Sequence, residues 1–137
     1  MGDRGKTNYL RRGTRAFICV ALVVLLGMSM AYGSTQSKTP NPIGFALVAL
    51  GTMFATLNLY LSFGRWFLYR LRHGSADGYR HISGFPVIGT ILVGGGGLVS
   101  FGSVPVAVLG LIAMVLDTGG TLWFVLWTWR DSMLWDE

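Results

Sequence analysis

Asp117 is the one ionisable side chain inside a long apolar run, Val104 to Trp129, which reads VPVAVLGLIAMVLDTGGTLWFVLWTW. An acid so placed could move a proton, hold a cation, or join two helices by accepting hydrogen bonds. A lone ionised carboxylate at the centre of a membrane helix costs at least ~2.5 kcal/mol on insertion scales, so a proton, a partner or water has to offset it. A partner stripe lies upstream: Asn58, Ser62, Arg65 and Tyr69 stand at i, i+4, i+7 and i+11, on one side of a helix. Asp117, Thr121 and Thr128 form a second stripe. The spacing predicts that the two stripes face each other, with Arg65 reaching Asp117. Three roles follow: a buried network that fixes how the helices assemble, a proton- or ion-handling site, or recognition of a partner. Thr118-Gly119-Gly120-Thr121 comes directly after the acid. Asp before a glycine pair can cap a restarted helix, which would make this run two half-helices, a geometry that transporters use at ion sites.

Other residues with chemical potential are fewer. His73 and His81 flank Asp77 in a polar stretch; two imidazoles and a carboxylate could hold a metal, but solvated loop side chains are the plainer reading. Arg70, Arg72 and Arg80 sit where a span would end and are expected to meet lipid headgroups. Cys19 is the only cysteine, so an intrachain disulfide is excluded. No HExxH, GxSxG or paired-acid pattern occurs, and neither a catalytic residue, a cofactor nor a resident metal is expected.

The elements that would position these residues are read from charge and hydropathy. Of 137 residues, 52% are hydrophobic and 12% charged, and the charges cluster at 3–15, 65–80 and 130–137. A soluble helix needs polar residues along its wet face, so charge confined to segment ends points to lipid. The predicted fold is an all-α integral membrane protein, a single membrane domain built as a four-transmembrane-helix bundle. A basic segment, 1–15, precedes spans at about 16–32, 43–63, 85–101 and 104–129, and a tail follows at 130–137. Ala31-Tyr32-Gly33 is also a small-x-small pattern, which makes a cleaved signal peptide the alternative to a first span. Four arginines between 65 and 80, against the single Lys38 of the 33–42 loop, place both chain ends in the cytoplasm. Pro86 suits a first helical turn. Gly94, Gly96, Gly97 and Ser100 are expected at a helix-packing surface, because small side chains let helices approach closely in lipid.

The net charge of +5 is explained by arginines flanking spans, so nucleic acid is not an expected partner. The expected function is that of a non-enzymatic accessory or immunity-type membrane protein. Its partners would be membrane lipid and another membrane protein, or a second copy of itself, in the bacterial inner membrane. The competing expectation is a small oligomeric transporter or channel that uses Asp117.

Overall fold

The computed structural model describes residues 9–36, 38–74, 84–85 and 87–128. They form five helices: α1 Tyr9–Thr35, α2 Pro42–His73, α3 Ile88–Val99, α4 Val104–Leu116 and α5 Thr121–Thr128. The protein is all-α, with no strand among the described residues. Helix α2 is long and apolar enough to cross a membrane, and α4 and α5 meet that condition together, bent by 42° at their junction. Val20–Thr35 and α3 are apolar but shorter.

Several expected boundaries move. The first helix begins at Tyr9 and takes in the backbone of Arg11, Arg12 and Arg15. The second continues to His73 rather than ending near Phe63. The third starts at Ile88, three residues after Phe85, and the run 104–129 is interrupted at residues 117–120. Pro86, Asp77, Arg80, His81 and the 130–137 tail lie outside the described residues.

Local chemistry accounts for the helix ends. Asn41 caps α2, its Oδ1 accepting from the backbone N–H of Ile43 at 2.9 Å and of Gly44 at 3.4 Å, and Pro42 occupies a first-turn position where no N–H is needed. Gly74, at φ 71°, closes α2 with a left-handed residue that donates to Arg70 O. Gly102, at φ 88°, turns the chain from α3 into α4 and gives its N–H to the buried Ser29 Oγ of α1 at 2.8 Å. That bond ties the α3–α4 corner to the first helix.

Packing centres on α2, α3 and α4. A Cβ on Gly96 would stand 2.5 Å from Gly44 O and 2.6 Å from Val48 Cγ2, so the two backbones meet without side chains between them. Gly51 lies against Val93 and the backbone of Gly89 in the same seam. Gly97 rests on Leu26, Gly94 reaches only Leu22, and Ser100 Oγ donates to Asn41 O at 3.3 Å. Leu26, Ala55, Val93, Ala113 and Met114 form the buried apolar cluster that joins α1 to this trio.

One element was not foreseen. Residues Tyr60–Gly64 within α2 form a π turn, in which the Arg65 N–H donates to Tyr60 O. Gly64 leaves room for the Tyr60 ring, since a Cβ there would lie 2.8 Å from it. A π turn takes up one extra residue and so rotates everything after it by about 100° relative to an uninterrupted α-helix.

Candidate functional site

The polar centre is a carboxylate latch where α2, α3 and α4 converge. Helix α4 stops at Leu116 because Asp117 leaves helical geometry, at φ −75° and ψ 81°. Gly120 N–H then turns back to Asp117 O at 2.8 Å, and α5 starts one residue later. Trp123 Nε1 donates to Val115 O at 2.8 Å, which satisfies a carbonyl beside the break. The carboxylate itself points inward. Asp117 is 2% exposed and Asn58 is 0% exposed.

Asn58 is the hub. Its Nδ2 donates to Asp117 Oδ1 at 2.6 Å and to Phe85 O at 3.0 Å, while its Oδ1 accepts the Phe85 N–H at 2.8 Å. One amide thus clamps the acid of α4 and both backbone groups of the residue leading into α3. Thr90 Oγ1 donates to Asp117 Oδ2 at 3.3 Å. Both Gly89 and Gly120 make room for that oxygen, because a Cβ on either would lie 2.8 Å from it. Gly89 and Thr90 belong to the first turn of α3, where the helix dipole favours negative charge. Hydrogen bonds and a helix N-terminus therefore offset the burial of the acid.

The two predicted stripes meet only in part. Asn58 faces Asp117, and Ser62 Oγ lies 2.8 Å from Thr118 Oγ1. The expected ion pair between Arg65 and Asp117 is not formed: the carboxylate's partners are Asn58 and Thr90. The π turn supplies the reason, since the extra residue carries Arg65 off the face that Asn58 occupies. Thr121 does not complete the network either. Its Oγ1 is buried without a partner, and Thr128 Oγ1 donates to Phe124 O in its own helix at 2.6 Å. Nor does the Asp117 side chain cap the restarted helix, because both its oxygens are engaged across the bundle.

Sequence reasoning missed Phe85, Gly89, Thr90 and Thr118 as members of the latch. Thr90 is the third residue of α3. Its place two residues into a helix was the available signal, because the first turn of a helix is where an acid from elsewhere is welcome.

The basic end of α2 is separate. Arg70 Cζ sits 5.5 Å over the Trp66 ring, and the Tyr69 and His73 rings stack at 4.3 Å. His73 Nδ1 lies 3.1 Å from Tyr69 O. Among the described residues no three His, Cys, Asp or Glu side chains are grouped to hold a metal. Comparison with protein-family models, with curated proteins and with solved structures finds no match.

Proposed function

We propose that this chain is a four-span membrane protein of the bacterial inner membrane, with both ends cytoplasmic, that works by binding another membrane component rather than by catalysis. The observation that carries the reading is the closure of the latch: Asp117 is enclosed by Asn58, Thr90, Gly89 and Gly120, so the acid serves assembly, and recognition falls to the outside. That outside is apolar, with Ile91, Leu98, Ile112, Val115 and Trp127 all exposed on α3, α4 and α5. Lipid tails or a neighbouring helix would cover such a surface, since water would not be tolerated over it.

Affinity purification of the full chain from native membranes in mild detergent tests the proposal. The expected result is one defined membrane protein recovered in constant ratio. Repeated recovery of the chain alone, or only as a homo-oligomer, would reject it.

The transporter reading keeps one specific support, the broken α4–α5 segment with the Thr121 hydroxyl buried and unpartnered beside the break. Cation or proton flux into liposomes holding the full chain, abolished by Asp117→Asn with folding retained, would establish that reading in place of ours.

A further inference from the structure

The 32 residues of α2 span about 48 Å at 1.5 Å per residue, against a hydrocarbon core of about 30 Å. The excess lies at one end. At the start of α2, Gly44 abuts Gly96 and Ser100, and at Asn58 the helix meets the residues leading into α3. Beyond Asn58, Ser62 meets Thr118 in the break between α4 and α5, and the Phe63 ring lies against that of Trp123. None of the last nine residues, Arg65–His73, is buried, and no other described helix packs extensively on them.

This overhang is two-sided. At 100° per residue, Phe67, Leu68 and Leu71 share one arc, with Arg72 and Arg65 beyond its Leu68 edge and Arg70 beyond its Phe67 edge. The apolar residues are open: Phe67 is 57% exposed, Leu68 51% and Leu71 68%. Leu68, Leu71 and Arg72 line an open recess of about 440 Å³ at the edge of that arc. Asp117 is the only acid among the described residues, and its oxygens are already taken by Asn58 and Thr90. Arg70 and Arg72 are exposed, Arg65 is half-buried, and none of the three has a carboxylate partner among the described residues.

Resting on the membrane reading above, we infer that Arg65–His73 is a binding site for an anionic phospholipid. The acyl chain lies along Phe67, Leu68 and Leu71, the phosphate is held by Arg72 at the edge of that arc, and Arg70 on the opposite flank adds positive charge at the same depth. A guanidinium fork matches phosphate oxygens in pairs, which an ammonium does not. Trp66 under Arg70 holds one fork at the headgroup level, where an indole is itself favoured. A zwitterionic lipid presents the same phosphate with a compensating amine, so charge sets the preference.

The test uses the full chain in detergent, stripped of lipid and titrated with dioleoyl phosphatidylglycerol or dioleoyl phosphatidylcholine, with adducts read by native mass spectrometry. Phosphatidylglycerol is expected to bind at roughly tenfold lower concentration than phosphatidylcholine, and R70Q/R72Q to weaken it roughly 25-fold, at about fivefold per cation near a surface. Leu68→Ser with Leu71→Ser should weaken it as well, and excess inorganic phosphate should not displace it; that pair of results marks a lipid rather than free phosphate. These side chains are exposed, and an unchanged melting temperature in each variant confirms that folding is intact. Equal binding of the two lipids, or a preference that survives R70Q/R72Q, overturns the inference. So does a preference that appears only when residues 130–137 are removed, which would make the chain's own acidic end the occupant. A chain that stays dispersed without detergent would defeat the membrane reading; a detergent-dependent chain indifferent to headgroup charge would defeat only the lipid site.

Discussion

Helix α2 is joined to its neighbours in two ways along one face. From Gly44 to Gly51 it meets α3 backbone to backbone, and the contact is made by missing side chains. At Asn58 it meets α3 and α4 through one amide that makes three hydrogen bonds. The first contact depends on shape and dispersion, the second on satisfied polar groups. In the membrane setting proposed above, lipid tails are as apolar as the helix surface, the hydrophobic effect would not favour helix association, and these two means would carry it. They also fail differently. The glycine seam has no room to adjust, because Gly44 O is part of a backbone that cannot rotate away. The latch has two hydroxyls and a carboxylate that can re-pair.

The largest effect is therefore expected at the seam. Gly96→Leu drives a side chain into Gly44 O and Val48 and should cost about 3 kcal/mol or more, as overpacking does at its upper end. Thermal or denaturant unfolding in detergent would measure it, and a loss under ~1 kcal/mol would mean that the seam yields. Next comes the latch. A double-mutant cycle on Asn58→Leu and Asp117→Leu should give a coupling of about 1 kcal/mol, within the range for polar pairs between membrane helices. Each single variant should be worse than the coupling alone, because Asn58→Leu also strands the Phe85 backbone. Additivity would show that the acid and amide are merely adjacent.

Thr121→Val sharpens the comparison from the other side. It replaces a buried hydroxyl that has no partner, so stability should stay level or rise by about 1 kcal/mol. A clear loss would reveal a bound water or ion at that oxygen. The smallest effect is expected at Gly27, where a Cβ would meet nothing within 4 Å. Gly27→Ala should change stability by no more than about 1 kcal/mol, and in the favourable direction, through helix propensity alone. A large loss at Gly27 would mean that α1 carries a second close seam with another molecule.

Most of the helical layout was legible before any coordinates. Apolar runs bounded by charge marked out the segments, and helices stand in each of them, although Arg11–Arg15 and Arg65–Arg72 lie within helices rather than beyond their ends. The stripe that holds Asn58 was legible as the one to face the lone acid, although Arg65 and not Asn58 was the partner expected for it. Arg65 was misassigned because the stripe was extended at α-helical spacing across Tyr60–Gly64. A π turn leaves almost no mark in composition; Gly64 four residues after Tyr60 is compatible with one but does not demand it. Thr90 and Gly89 were missed for another reason: a third span expected from Phe85 hid that they fall in the first turn of α3, where an acid is favoured.

The chain alone determines that its apolar segments are helical and that one acid among them must be matched by some polar group, because backbone hydrogen bonding and the burial of charge are demands that residue order makes visible. Which group answers the acid was decided only in three dimensions. The extra residue in α2 turned Arg65 away, the break after Leu116 aimed the carboxylate inward, and the glycines at 89 and 120 left the space into which Asn58 and Thr90 could close around it.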